Sequence, residues 1–485
     1  MLRAMIGREL RAILRSPKFA GSFAVGAALI VLSVFLGIQE YRAATRQYET
    51  ATTLASQQLR EETTWMRMGT RAFRRPEPMQ IFVSGVGNDI GRLSPIAAST
   101  PVELRHSPYA DDPIFAFFRM LDLVFLVGVV LSLFAILFTY DAISGERQDG
   151  TLKLALANRV PRARYLIAKG VGSWLALVVP LAIPVALSML LLVVYRVPMD
   201  GERWMRLGLL LAASLLYFTF FLALGLLVSA LTRRPSHSFL IALLLWVMLV
   251  LIIPRAGIAI SSQIVPVPGV AEIEGRRAEF ARDAWAEHYG RMEARLREER
   301  NAHGGPDREP PGEKETQTRA REQEAARRET LEKIDAYGER LEEDLAARRH
   351  EQERLGFALA RFSPAAAYQL AVMNLADTDT GLRRRTEDAM RTFRSDFLAF
   401  VRKKQEQTGE TGGMQIRIDS ERGVRIGTAG SDQPIDMTGL PAYDPPARRP
   451  AEPLAASVAD LTWIAVAALG AFSAAFARFL RYDVR

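Results

Sequence analysis

Two long stretches without a charged side chain constrain the fold of this chain more than any other feature. Residues 171–195 and 207–231 each extend over 25 residues without Asp, Glu, Lys or Arg. A helix needs about 20 mostly apolar residues to cross the ~30 Å hydrocarbon core of a bilayer. The two stretches therefore predict transmembrane helices, and they exclude a purely soluble protein.

Four further apolar segments have the length and composition of membrane spans. Helices cross a bilayer readily because they satisfy their own backbone hydrogen bonds. The sequence therefore predicts a mainly α, polytopic helical membrane protein with six spans. The predicted spans are residues 19–38, 113–140, 166–195, 207–231, 236–253 and 457–477.

Arginine and lysine in the short segments beside the spans predict the orientation. Residues 1–18 carry five basic side chains and residues 141–169 carry six, whereas residues 196–206 carry three. The positive-inside rule then places both termini in the cytoplasm, including a short tail at residues 478–485. It follows that the two long loops are extracytoplasmic. These loops are residues 39–112 and 254–456.

The first 18 residues alternate apolar side chains with arginines at helical spacing. This pattern predicts an amphipathic helix that lies in the cytoplasmic membrane interface. The first long loop, residues 39–112, is predicted to begin as a helix. Two short strands are predicted later in it, at residues 81–83 and 86–90.

The second long loop, residues 254–456, is predicted to form a helical, partly α+β extracytoplasmic domain. Residues 271–350 contain 17 basic and 21 acidic side chains, together with a narrow apolar seam at helical spacing. Such seams are buried when two helices pack antiparallel, which predicts a charged helical hairpin over residues 271–357. Because acidic residues outnumber basic ones here, the block offers no basic surface for nucleic acid. A third helix, about residues 379–407, and a β-hairpin, about residues 414–427, are predicted to follow.

The short loop between the second and third predicted spans, residues 141–165, carries the clearest functional pattern. Gly145 and Gly150 allow tight backbone geometry, and Thr151 is a candidate cap for a short helix. A rigid, charged corner between two spans suits the transmission of force from a cytoplasmic partner. A solvated positive-inside loop is the alternative interpretation of the same residues.

The pattern Asp-x-Ile-Ser-Gly-Glu-Arg-x-x-Gly-Thr-Leu in this loop, with Lys169 one turn into the next span, resembles permeases of the type-2 ABC exporter superfamily. In that family the segment forms the coupling helix, which docks into the ATPase subunit. The resemblance assigns eight residues to this coupling element. They are Asp141, Ser144, Gly145, Glu146, Arg147, Gly150, Thr151 and Leu152.

A second pattern is similar to one bacterial subgroup of these permeases. The sequence Arg361-Phe362-Ser363-Pro364-Ala365, within a large extracytoplasmic insert before the last span, is similar to a subgroup whose insert has no known function. The charged hairpin at residues 271–357 has no counterpart in this resemblance.

The resemblance implies the permease subunit of an ATP-driven exporter in the bacterial inner membrane. The chain has no G-x-x-x-x-G-K-[ST] sequence, so we expect ATP and Mg to bind a separate cytoplasmic ABC ATPase. No enzymatic activity, cofactor or metal site is expected here, since Cys is absent and the five His are scattered. The expected partners are that ATPase, a second permease copy or paralogue as a homo- or heterodimer, membrane lipid and a periplasmic protein.

Two other functions remain open at this stage. A non-transporting mechanotransmitter would use ATP hydrolysis to move its extracytoplasmic domain against a periplasmic partner. Apolar residues exposed on the hairpin would favour this function, whereas a polar cavity between the spans would favour transport. A membrane-anchored helical scaffold without an ATPase would instead tolerate mutation of the loop at residues 141–165.

Overall fold

The protein is mainly helical in a computed structural model. The described residues are 2–63, 65, 68–97, 100, 102–107, 121–157, 161–302, 313–408, 414–419, 423–428, 435, 437–446, 448–449 and 451–481. The chain divides into two compact units. The body unit comprises Met1–Leu251 and Ser363–Arg485, and the hairpin unit comprises Ile252–Phe362.

Thirteen helices and four strands are labelled here in chain order. The helices of the body unit before the hairpin unit are α1 (Leu2–Leu14), α2 (Pro17–Glu61), α3 (Leu123–Leu137), α4 (Ser144–Gln148), α5 (Thr151–Ala157), α6 (Arg162–Val194), α7 (Gly201–Leu231) and α8 (Pro235–Ile264, which continues into the hairpin unit). The remaining helices are α9 (Val270–Ala302), α10 (Glu313–Ala360), α11 (Pro364–Leu375), α12 (Leu382–Thr408) and α13 (Ala451–Leu480). The strands are β1 (Thr70–Phe73), β2 (Leu93–Ile96), β3 (Met414–Asp419) and β4 (Gly423–Thr428).

In the described part of the chain, five helices are long and apolar enough to cross a membrane, which supports the prediction of a multi-pass helical membrane protein. They are α2, α6, α7, α8 and α13. The predicted second span corresponds to the shorter apolar helix α3, and its residues 113–120 lie outside the described part of the chain. The count of six spans therefore stays a prediction.

The first predicted span and the helix predicted at the start of the following loop form one continuous helix. Helix α2 continues without interruption for 45 residues, from Pro17 to Glu61. Residues 39–61 contain neither Gly nor Pro, so nothing in the sequence ends the helix where the apolar residues stop. The Ser16 hydroxyl accepts a hydrogen bond from the Phe19 N–H and caps its start.

The prediction of strands at residues 81–83 and 86–90 is wrong. Pro78–Ile81 forms a 3₁₀ turn, and residues 85–89 are turns. Ile81, Phe82 and Val83 are all buried in succession, and this differs from the alternating burial of a half-buried strand. The strands in this region are β1 and β2, which pair antiparallel from Thr70↔Ile96 to Phe73↔Leu93.

Helix α7 lies at the centre of the body unit. In the most apolar 18-residue segment of α7, 67% of the residues are buried, against 11–22% in the corresponding segments of the other four long apolar helices. Helix α11 packs on it through Tyr368, whose ring stacks on Tyr217 at a centroid distance of 4.5 Å. The Tyr368 hydroxyl lies 2.9 Å from Ser214 Oγ. Because the other four long apolar helices are much less buried than α7, they leave large apolar surfaces for lipid or for another protein chain.

The hairpin unit contains the two long charged helices that the apolar seams indicated. Phe280 of α9 stacks on Tyr337 of α10 at 4.0 Å, and His288 Nδ1 lies 3.1 Å from Thr330 Oγ1. Residues 254–456 were predicted to form one domain, but in the structure the residues from Ser363 onward belong to the body unit. The physical reason is the apolar helix α11, whose side chains are buried against α7 and α13.

Candidate coupling site

The described residues of the loop at 141–165 form two short helices before α6 begins at Arg162. Helix α4 ends at Gln148 and helix α5 begins at Thr151. Gly150, between them, has φ +73°, and a Cβ added there would meet open space. The turn therefore needs glycine for its backbone conformation, as the sequence predicted, rather than for lack of room.

We expect Gly150→Val to strain this turn without any steric clash. A β-branched residue at positive φ costs about 1–2 kcal/mol. Gly150→Asn should cost clearly less, because Asn visits this region of φ more readily. Thermal unfolding of the two purified variants measures the difference. Equal loss of stability in both would show that the positive φ is not the determinant.

Glu146 is held inside the protein by a network of charged side chains. Its Oε1 lies 2.8 Å from Lys169 Nζ of α6, and its Oε2 accepts a hydrogen bond from the Tyr165 hydroxyl. Lys169 Nζ also lies 2.8 Å from Oε2 of Glu9 in α1. The Lys169 side chain is only 9% exposed, so one buried cation joins three helices, α1, α4 and α6.

The electrostatics of Glu146 follow from this position. Burial by itself raises the pKa of its carboxyl, but the adjacent Lys169 charge and the hydrogen bonds from Lys169 and Tyr165 outweigh it. The net effect holds the pKa of Glu146 below its ordinary value. Glu146 is therefore an ionised structural partner, and it offers little of its charge to an external surface.

Helix α1 approaches α6 closely at the same place. A Cβ added at Gly172 of α6 would lie 2.7 Å from Glu9 Cβ, so only glycine allows this contact. Glu9 is the single carboxylate in the otherwise basic α1. The sequence signal that could have identified Glu9 is its position as the lone acid among four arginines near the start of the chain.

The start of α4 is fixed to the end of α7 by buried hydrogen bonds. Ser229 Oγ accepts hydrogen bonds from the backbone N–H groups of Ile143, at 2.9 Å, and Ser144, at 3.0 Å. Arg147 Nη1 donates to the Thr232 carbonyl at 2.7 Å. The loop is thus bound to α7 as well as to α1 and α6.

Removing the Ser229 hydroxyl should loosen this attachment. Ser229→Ala leaves two buried N–H groups without their acceptor, at about 1–3 kcal/mol. Ser236→Ala, at an exposed serine of the next helix, is the matched control and should leave stability unchanged. Chemical unfolding in detergent compares them. A loss in Ser229→Ala no greater than in the control would contradict the role given to this hydroxyl.

A small apolar core lies beneath the loop. Leu152 is fully buried in it, together with Ile143, Tyr165 and Phe479. The Tyr165 and Phe479 rings stack at 5.4 Å. Leu154, in contrast, is 67% exposed, and its neighbours Thr151 and Lys153 are exposed too. The loop therefore has a buried base and an exposed face.

The eight predicted coupling residues divide between these two sides. Ser144, Glu146, Arg147 and Leu152 face inward, Asp141 forms a 3.3 Å ion pair with Lys18, and Gly150 shapes the turn between α4 and α5, whereas Gly145 lies within α4, without a positive φ and with room for a Cβ. Thr151 is exposed, although its Oγ1 donates to the Glu146 carbonyl at 3.3 Å. Other exposed residues, among them Gln148, Asp149, Lys153 and Leu154, are ones that the prediction omitted.

Nothing in the described part of the chain resembles a metal centre: it has no cluster of three or more His, Asp and Glu side chains suited to an ion. The geometry of the loop is suited to move together with α1, α6 and α7, because one cation and one hydroxyl connect it to all three.

Comparison with known proteins agrees with this architecture. A protein-family model described as ABC-2 family transporter protein matches residues 3–484. No curated protein matches the chain. The match includes α1, all five long apolar helices and the loop at residues 141–165, and it agrees with the resemblance seen in the sequence. The particular subgroup with a large insert stays a prediction. The chain therefore belongs to the ABC-2 family of transporter proteins.

Proposed function

We propose that this chain is the permease subunit of an ATP-driven exporter in the bacterial inner membrane, with both termini in the cytoplasm. A separate cytoplasmic ABC ATPase binds and hydrolyses ATP, since the sequence has no phosphate-binding P-loop. Two permease chains, identical or paralogous, pair with two ATPase subunits. The observation that carries the proposal is the attachment of the loop at residues 141–165 to three helices through Lys169 and Ser229.

Through this attachment, movement of the loop is transmitted to the helices. A push on α4 and α5 reaches α6 through the Glu146–Lys169 pair and α7 through the Ser229 hydroxyl. Buried charge pairs and satisfied hydrogen bonds resist deformation, so the force moves the helices rather than bending the loop. Helices α6 and α7 are two of the long apolar helices, and their displacement is what opens a path across the membrane.

The exposed face of the loop is the surface that meets the ATPase. It presents one apolar side chain, Leu154, beside the polar or charged residues Gln148, Asp149 and Lys153. An apolar anchor with a polar rim is typical of protein interfaces. Glu146, which the resemblance placed in the coupling element, supports this face from behind.

The absence of cysteine in the sequence allows a direct test. We expect Leu154→Cys, in native membranes with the ATPase present, to form a cross-link to that ATPase with a short cysteine-reactive reagent. Leu152→Cys is the matched control, because it lies two residues away and is fully buried. Cross-linking of both to the same extent, or of neither, would argue against this docking face.

A second function is favoured by a specific observation in the hairpin unit. Several large apolar side chains there are exposed, among them Tyr289 at 57%, Leu296 at 48% and Leu331 at 41%. Such a surface fits a mechanotransmitter that works on a periplasmic partner. If the chain has that function, the double variant Leu296→Glu/Leu331→Glu loses the activity that the intact system has in cells but keeps normal stimulation of the ATPase. A transporter that does not use the hairpin this way keeps both.

A further inference from the structure

A cavity of about 240 Å³ in the body unit lies apart from the loop at residues 141–165. It is lined by the second half of α2, by the adjoining ends of β1 and β2, by the segment between the two strands, and by His106. Tyr48 and Phe73 contribute apolar walls, and Gln80 and Asn88 contribute carboxamides. None of the described residues that line it is Asp or Glu.

The register of the β1–β2 sheet places two arginines together at this cavity. Phe73 pairs with Leu93, and one step further the Arg74 N–H donates to the Arg92 carbonyl at 2.8 Å. Arg74 and Arg92 therefore lie opposite each other on adjacent chain segments, and both line the cavity. Like charges directly opposite on paired strands destabilise the sheet. An anion between them would remove this repulsion.

Arg74 is the buried cation of the pair. Its Nη2 donates to the Gly87 carbonyl at 2.5 Å, whereas its Nη1 is buried and no described residue accepts a hydrogen bond from it. Burial and, next, the charge of Arg92 lower the pKa of Arg74 to about 10. A buried guanidinium normally has a carboxylate or another acceptor, since burying an uncompensated charge is costly.

The nearby polar groups do not compensate Arg74. Glu40 accepts a hydrogen bond from Asn88 at 3.0 Å, and its charge interacts with Arg92. Arg92 itself donates to Gln47 at 2.7 Å. Tyr443, close enough to Arg74 for each to influence the other's pKa, has a buried hydroxyl that also has no partner among the described residues. Two buried donors, Arg74 Nη1 and the Tyr443 hydroxyl, thus have no acceptor among the described residues.

We propose that this cavity binds a phosphate group, with the Arg74 guanidinium as its main donor and Arg92 as the second positive charge. Guanidinium groups bind phosphate oxygens with geometry that few other side chains match. The apolar walls indicate that the phosphate belongs to a molecule with an apolar part. Both a phospholipid headgroup and a soluble phosphorylated compound have this chemistry.

The test measures thermal unfolding of the full-length protein in nanodiscs. In phosphatidylcholine nanodiscs, inorganic phosphate is titrated against chloride at matched ionic strength. A second arm replaces half of the lipid by phosphatidylglycerol. We expect a rise in Tm in at least one arm, because a ligand that binds only the folded state stabilises it. A rise with inorganic phosphate indicates a soluble source, and a rise only with phosphatidylglycerol indicates a lipid headgroup.

Variants assign the response to the cavity. Arg74→Gln should weaken phosphate binding about 10- to 100-fold, as expected for loss of a charged hydrogen bond. Without the anion this variant should unfold at the same temperature as the wild type or higher, because the uncompensated charge is gone. Arg71→Gln, at an exposed arginine of the adjoining strand β1, is the matched control and should respond like the wild type.

A second variant keeps the proposal falsifiable if Arg74→Gln does not fold. Ala44→Phe retains both arginines but places a ring into the cavity from α2, and it should abolish the response as well. The proposal is overturned if the wild type shows no rise in Tm in either arm. It is overturned equally if Arg74→Gln, or Ala44→Phe in its place, responds like the wild type.

Discussion

Lys169→Met is expected to cause the largest loss of stability of any single substitution near the loop at residues 141–165. The variant removes the cation that two carboxylates, Glu9 and Glu146, share at 2.8 Å each. Breaking a buried ion pair by removing one partner costs about 3–5 kcal/mol, because the remaining charges stay buried. Here two like charges remain close together. We therefore expect a large fall in Tm and loss of ATPase stimulation.

The matched control for this prediction is Arg164→Met, which removes an exposed cation from the same helix. It should change Tm little, since exposed charges contribute about 0–1 kcal/mol. Restoring the charges in the opposite sense, Glu146→Lys with Lys169→Glu, should recover part of the lost stability. Equal Tm values for Lys169→Met and Arg164→Met would contradict the central role of Lys169.

The same network gives a pH dependence whose sign differs between the wild type and Lys169→Met. In the wild type the pKa of Glu146 is lowered, so its contribution to stability is complete above about pH 4.3, the ordinary value. That contribution is lost as the pH falls through the lower folded-state value. In Lys169→Met the buried carboxylates lack their cation, and protonation should relieve their repulsion. The variant should therefore become more stable from pH 7 toward pH 5, whereas the wild type should not.

Leu154→Asp is the second prediction with a large expected effect, and it acts on association rather than folding. Leu154 is 67% exposed on the proposed docking face, so an acidic side chain there is well solvated in the free permease. At the centre of an interface the same change removes an apolar anchor and buries a charge. A contact of this kind contributes about 2 kcal/mol or more, which is about 30-fold in affinity. Co-purification of the ATPase with the variant measures this loss.

Leu154→Met is the matched control, because it keeps an apolar side chain of similar volume at the same position. It should retain the ATPase, and both variants should unfold at the wild-type temperature. Retention of the ATPase by Leu154→Asp would show that docking occurs elsewhere. A fall in Tm for Leu154→Asp alone would indicate that Leu154 stabilises the permease itself.

Local sequence patterns predicted the elements well where a single segment carries the signal. The apolar runs of α6 and α7, the seams of α9 and α10, and the turn at Gly150 each depend on neighbouring residues in the chain. The helix predicted at the start of the first long loop is also present, but the structure joins it to the first span without a break. Helix α2 continued beyond its apolar part because helix formation needs no apolar residues, only the absence of a breaker.

The candidate site shows the limit of a motif. The resemblance identified Glu146 and Leu152 as parts of a coupling element, and the structure places both on its buried side. A motif gives residue types at fixed spacing, but it does not give the direction of each side chain. Direction is set by distant partners, in this case Lys169, Glu9 and Ser229.

The sequence by itself determined that this chain crosses a membrane as helices, because the length of a charge-free run is a local property that the bilayer thickness selects. It also determined that the loop at residues 141–165 lies between two apolar helices and that its backbone needs glycine at position 150. Only the tertiary structure decided which loop residues face outward and that α11 packs on α7 rather than with the hairpin unit. It alone decided that Arg74 and Arg92 share one cavity. These facts depend on the register and packing of segments far apart in the chain, which no local pattern encodes.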